Sequence, residues 1–291
     1  MKHLKNKTIA VLSAILSAIM FAICVPCAKL SGNYVQPVIM GGLLYLGAGL
    51  GLLVTMIIKK STPELSLTRK ELPYATCMVF LDISAIILLM AGISKTTGAN
   101  ASLLGNFELA ATLLAAYFIF KETISKKLFT AIILITIACI ILTFEGRGSF
   151  IFNIGSVLVL LSAVCWGLEN NFTRQLSIKD TRQITIIKGI CSGIGSIIIA
   201  FIAGEKLPQL NWLFLTLLLG FISYGLSVSL YIYAQRFLGA SKTGAYFSTA
   251  PFFGVVFCLL ILGERPMPQF YLALLIMILG SFLVVCDTKN S

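Results

Sequence analysis

Ten apolar runs follow one another along the chain, with only short polar breaks between them. They fall at about 8–30, 37–58, 72–92, 99–120, 127–144, 153–173, 184–204, 211–233, 243–262 and 269–286. Each is close to the roughly 20 apolar residues that carry a helix across a bilayer. The pattern predicts an all-α integral membrane protein with ten transmembrane helices. No break is long enough to hold a soluble domain, and no low-complexity segment occurs. The first run follows a basic tail, "MKHLKNK", but is longer than a signal-peptide core and has no clear cleavage site, so it reads as a retained first helix.

Composition sharpens this picture. Of 291 residues, 58% are hydrophobic and 11% charged, against about a quarter charged in soluble domains; mean hydropathy is +0.98. The net charge of +11 forms no basic face for nucleic acid, because the charges punctuate the apolar runs. With the N-terminus inside, about 16 of the 22 Lys and Arg fall on the cytoplasmic side, among them Lys2, Lys5, Lys7, Lys59, Lys60, Arg69, Lys70, Lys126, Lys127, Arg174 and Arg182. Lys29, Lys95, Arg147, Lys206 and Arg265 remain outside. That bias predicts both termini in the cytoplasm, N-in/C-in, in a multi-pass protein of the inner or plasma membrane.

The chain also repeats itself. "GANASLLGNFELAATLLAAYFIFKE" (98–122) aligns with "GASKTGAYFSTAPFFGVVFCLLILGE" (239–264), closing on Glu122 and Glu264. "AIMFAICVPCAKLS" (18–31) aligns with "AVCWGLENNFTRQLS" (163–177), and "GISKTTGA" (92–99) more loosely with "AQRFLGA" (234–240). All three pairs are separated by about 141–146 residues, which divides the chain into repeats at 1–145 and 146–291. Five helices per repeat is an odd number, so the second copy enters the membrane from the opposite side. Inverted repeats of this kind mark many secondary transporters, with the substrate site near the midplane between the halves.

Ten helices in two halves, the fourth and ninth ending in "FIFKE" and "LILGE", with "CWGLENNFTRQLS" opening the second half, resemble the EamA type of the drug/metabolite transporter superfamily. The resemblance spans essentially the whole chain. It implies alternating access through a central cavity lined by the first, third, fourth, sixth, eighth and ninth helices. The proline common in the middle of the fourth helix of each copy is present as Pro251 in the second; the first has Leu109, beside Glu108.

Polar residues inside the apolar runs are the candidate site. Glu108 lies near the midplane of the fourth helix, sharing a face with Ala101, Gly105, Thr112 and Ala115; Asn106 is close by. A charge exposed to lipid at that depth would cost a few kcal/mol, so it must face protein or water. Asp82, midway along the third helix, meets the same penalty. Glu108 and Asp82 are therefore the candidates for proton coupling. Nearer the end of the sixth helix, Trp166, Glu169, Asn170 and Asn171 bring a carboxylate and two amides, which both donate and accept hydrogen bonds. Tyr224 with Gly220, Ser227 and Tyr231, and Tyr246 with Thr249 and Phe253, line the eighth and ninth helices and could present π-faces to a cation. Glu108, Asn106, Trp166, Glu169, Asn170, Tyr224 and Tyr246 are the expected substrate-binding residues. Lys188 is expected to snorkel to the interface, leaving the midplane acidic and favouring a cationic or zwitterionic solute over an anion.

Other chemistries find little support. The single His3 lies in the N-terminal tail, so neither a His-based triad nor a His metal site is expected, and no P-loop or cofactor motif appears. "CVPC" (24–27) has thiol-redox spacing but sits in a spanning helix without βαβ context. The function expected is secondary transport of a small organic metabolite by a monomer or homodimer in the bilayer, without nucleic acid. An amino-acid or drug exporter of the same fold is the nearest alternative. A membrane enzyme acting on lipid, or a channel, is more remote.

Overall fold

A computed structural model describes residues 2–58, 68–119, 121, 123–144, 153–176, 180–238 and 240–288. Glu122, Arg147 and the 146–152 loop, as well as the side chains of His3, Arg236 and Lys242, lie outside that description. The described residues are helical in the order α1 (Lys2–Ala22), α2 (Cys24–Ser31), α3 (Pro37–Ile58), α4 (Leu72–Ile93), α5 (Gly98–Leu104), α6 (Phe107–Phe118), α7 (Lys126–Thr143), α8 (Ile154–Gln175), α9 (Thr181–Ile202), α10 (Leu210–Gly220), a π-helical turn (Phe221–Leu226), α11 (Ser227–Leu238), α12 (Ala240–Phe247), α13 (Ala250–Ile261) and α14 (Pro268–Thr288). Nine spans among them are long and apolar enough to cross a membrane, and the shorter α13 supplies most of the tenth crossing.

Four crossings are interrupted where continuous helices were expected, and each interruption has a local cause. Pro26 has no N–H to give the carbonyl of Ala22, so the first crossing turns at Ile23 between α1 and α2. In the fourth crossing, Glu108 N–H reaches back only to Gly105 and Leu109 N–H only to Asn106, a three-residue tightening between α5 and α6. The ninth crossing does the same before Pro251, where Phe252 N–H returns to Thr249. α6 begins at Phe107 and α13 at Ala250, a spacing of 143, so the two breaks are repeat-related. The fourth interruption is the π turn of the eighth crossing, which carries Tyr224.

Packing follows an approximate two-fold relation between the halves. α3 lies against α9 and α7 against α14; α4 against α8 is matched by α11 against α1. Exchanging each crossing for the one five later returns the same set of pairs. The α3–α9 seam is close because Gly189 faces Gly49: a Cβ on Gly189 would lie 2.6 Å from the Gly49 nitrogen. Small residues allow such backbone contact, which in a bilayer must replace the hydrophobic drive to associate.

One end of the bundle is tied across the halves by borrowed helix caps. Pro37 opens α3, and the first-turn amides of Val38 and Ile39 donate to the Glu205 carboxylate at 3.2 and 2.7 Å. Gln36 takes part in a return bond, its Oε1 accepting from Lys206 N–H at 2.7 Å. Gly98 and Ala99, opening α5, likewise donate to Glu264 at 2.7 and 2.8 Å, and Tyr34 stacks on Trp212 with centroids 4.1 Å apart. A carboxylate at a helix N-terminus meets both unpaired amides and the positive end of the dipole. Glu205→Gln and Glu264→Gln should each lower stability by about 1 kcal/mol, read as a lower unfolding temperature in detergent. An unchanged transition in both would remove the caps from the account of this end.

Candidate functional site

The polar residues of the apolar runs meet between the halves. Asp82 on α4 is fully buried and Glu169 on α8 is 1% exposed. A charge in that position needs a partner, and it comes from α9: Lys188 Nζ lies 3.2 Å from Asp82 Oδ1 and 3.0 Å from Glu169 Oε2. The expectation that Lys188 snorkels to the interface is thus overturned. It is seven residues into α9, about 10 Å along the axis, and two carboxylates beside it hold the ammonium more strongly than distant water does. The seam consequently contains a cationic side chain and is not exclusively acidic.

Further hydrogen bonds fix the acids. The Tyr45 hydroxyl, on α3, donates to Asp82 Oδ1 at 2.8 Å and accepts from Trp166 Nε1 at 3.1 Å. Thr173 Oγ1, one turn beyond Glu169, donates to Glu169 Oε1. Glu108 stands in the first turn of α6, and Asn170 crosses from α8 to donate to its Oε1 at 2.7 Å and to Thr112 Oγ1 at 3.2 Å. Asn171 is structural: its amide donates to the carbonyls of Thr112 and Gly167 at 3.0 and 2.9 Å, where Gly167 lets α8 lie on Ala111. Glu108 is within electrostatic range of both Glu169 and Lys188, so the two clusters form one site.

Aromatic rings continue the site away from the charges. Tyr45 stacks on Tyr224 with centroids 5.5 Å apart, and Tyr224 meets Phe21 edge-on at 5.4 Å. Phe247 joins Phe21 to Tyr231 at 5.4 and 5.3 Å. Tyr224 sits on the π turn, a distortion that often accompanies functional sites. Its hydroxyl accepts from Cys24 Sγ at 3.8 Å, so the first cysteine of "CVPC" faces this aromatic row.

Of the expected binding residues, the structure brings together Glu108, Trp166, Glu169, Asn170 and Tyr224, along with Asp82. Two stand apart. Asn106 is 2% exposed and donates to Ser281 Oγ on α14 at 3.1 Å, so the break turns it toward the tenth crossing. Tyr246 is 36% exposed at the end of α12, where its carbonyl receives Thr249 Oγ1 at 2.6 Å. Tyr45 and Lys188 belong to the site and were not among the expected residues. Among the described residues, no group of three or more His, Cys, Asp or Glu is arranged to hold a metal.

A broken fourth crossing beside the charged seam, with a repeat-related break in the ninth, fits a chain built of two related halves, and the sequence comparison agrees. The profile of the EamA-like transporter family matches residues 8–144 and, a second time, residues 153–286. The chain belongs to the EamA-like transporter family. Within the drug/metabolite transporter superfamily, it is a multi-pass membrane protein built from two EamA repeats. An uncharacterized transporter of Methanothermobacter thermautotrophicus (strain ATCC 29096 / DSM 1053 / JCM 10044 / NBRC 100330 / Delta H) is 30% identical over 301 residues, covering 96% of this chain and 86% of the relative. A solved crystal structure superposes with a TM-score of 0.69 over 97% of both chains at 14% identity, which shows a shared fold.

Proposed function

We propose that this EamA-like protein is a secondary active transporter that carries a small cationic or zwitterionic metabolite across the cell membrane by alternating access. The observation that carries the reading is the convergence of three carboxylates and one ammonium on the seam between the halves: Asp82 from the first, Glu169 and Lys188 from the second, and Glu108 held by Asn170 across it. With every group ionised the seam has a formal charge of −2. It therefore still favours a solute with a positive group, while Lys188 can meet the acidic end of a zwitterion. The aromatic row through Tyr224 gives such a group a π-surface. Glu108 and Asn170 make the solute contacts, and rocking of the halves about the seam exposes them to each side in turn.

A thermal-stability screen of the purified protein against small metabolites, followed by proteoliposome flux on the hits, tests this reading. Saturable counterflow of a cationic or zwitterionic hit is the expected result. Conversion of a lipid without vectorial movement would replace the reading with an enzyme, and non-saturating flux at channel rates would replace it with a pore.

The orientation proposed is N-in/C-in, with repeat boundaries at 1–145 and 146–291. Tags at both termini should then report the cytoplasm, while single cysteines placed in 205–209 should label from outside. Labelling of 205–209 from the cytoplasm would reverse the orientation.

A further inference from the structure

Asp82 is the least satisfied carboxylate of the seam. Its Oδ1 takes both the Tyr45 hydroxyl and the Lys188 ammonium, whereas Oδ2 is buried and meets no hydrogen-bond donor among the described residues. Glu169 differs: Thr173 donates to Oε1 and Lys188 pairs with Oε2. Glu108 is only partly buried and has Asn170 on Oε1. A bare buried oxygen is far more costly on an ionised carboxylate than on a neutral carboxyl.

The charge count points the same way. Lys188 is a single ammonium between two buried acids, so two ionised carboxylates leave one negative charge without a counter-ion. Acids that share one site commonly resolve such an excess by holding a proton between them. The groups facing Asp82 are Tyr45 from α3, Glu169 from α8 and Lys188 from α9, with Tyr224 of the π turn in electrostatic range. Among these acids, only Asp82 combines complete burial with an unmet oxygen.

We propose that Asp82 carries the exchangeable proton of the transport cycle and that its protonation releases the first half from Lys188. Ionised, Asp82 holds the ammonium at 3.2 Å and ties α4 to α9. When the carboxylate takes a proton from water, an O–H bond forms and the negative charge disappears. Lys188 then stays with Glu169, its partner within the second half. The reverse step breaks that O–H bond and returns the proton to water on the other side. The Lys188 side chain is 24% exposed while that of Asp82 is closed off, so the ion bridge has an accessible edge. This assignment rests on the transport reading for its purpose, and it divides the labour: Asp82 holds the proton and Glu108 meets the solute.

Infrared difference spectroscopy on the full chain in nanodiscs, between alkaline and acidic buffer, tests the assignment without any solute. The chain has three aspartates, Asp82, Asp180 and Asp287. In an Asp180→Asn/Asp287→Asn background, aspartate labelled with carbon-13 at the side-chain carboxyl reports Asp82 alone. The expected result is a carboxylic-acid carbonyl band that grows on acidification, shifts with the label, and persists in Glu108→Gln. No labelled band over the pH range in which the protein stays folded would overturn the proposal, as would a pH-dependent band that ignores the label and vanishes in Glu108→Gln. Because the labelled background leaves Asp82 intact, the test does not depend on Asp82→Asn folding. Failure here would leave the transport reading standing, whereas absence of flux would remove that reading whatever the spectrum shows.

Discussion

Lys188→Met should cost about 3–5 kcal/mol of stability, because it removes the only ammonium from between two buried carboxylates. Methionine fills much of the lysine stem's volume, so the loss is electrostatic rather than a packing void. Asp82 and Glu169 would then face each other with only the Tyr45 and Thr173 hydroxyls as partners. Removing one acid as well should recover part of the loss: Lys188→Met/Asp82→Asn leaves one charge where the single variant leaves two. The measurement is thermal unfolding of the purified proteins in one detergent, with the double-mutant comparison isolating the pair from general effects of each substitution. Equal stability of wild type and Lys188→Met would show that the bridge holds nothing. A double variant worse than the single one would show that Asp82 acts through other partners.

This lysine also shows where a reading of the sequence stops. The spans were legible because each apolar run is long enough to cross a bilayer, and the repeat because "FIFKE" and "LILGE" close matching segments. Glu108, Glu169 and Asn170 stood out because a carboxylate or amide inside such a run needs a reason to be there. Lys188 looked ordinary, since a lysine a few residues inside a helix can reach the interface by itself. What holds it inward is a pair of acids on two other helices, Asp82 and Glu169, and no local pattern records that pairing. The signal was indirect: two midplane acids called for a counter-ion, and Lys188 was the basic residue set deepest in a span. Tyr45 left even less trace, being one hydroxyl in an otherwise apolar helix. Asn106 and Tyr246 lie apart from the seam beside the breaks of the fourth and ninth crossings, where Asn106 meets Ser281 on α14, and helical spacing alone does not foresee such breaks.

Gradient-driven uptake and solute exchange should respond differently in two variants. In proteoliposomes with the membrane potential clamped, wild type is expected to accumulate its solute in response to a pH gradient. Asp82→Asn removes the proposed proton seat while preserving the shape and one acceptor oxygen, so uptake should fall to the level seen without a gradient. Exchange of labelled for unlabelled solute needs no proton and should survive, at a rate altered by the weaker tie to Lys188. Glu108→Gln removes the charge proposed to meet the solute. A charge-assisted hydrogen bond contributes about 1.5–3 kcal/mol, so half-saturation should move roughly 10- to 100-fold upward in both assays. The alternatives separate cleanly. If wild type ignores the gradient, transport is facilitated diffusion and neither acid titrates during the cycle. If Asp82→Asn still follows the gradient, the proton sits elsewhere, and Glu108 becomes the remaining acid of the seam that is only partly buried. Loss of exchange in Asp82→Asn, with folding intact, would mean that solute and proton use the same carboxylate in turn, making Asp82 a shared site rather than a dedicated one.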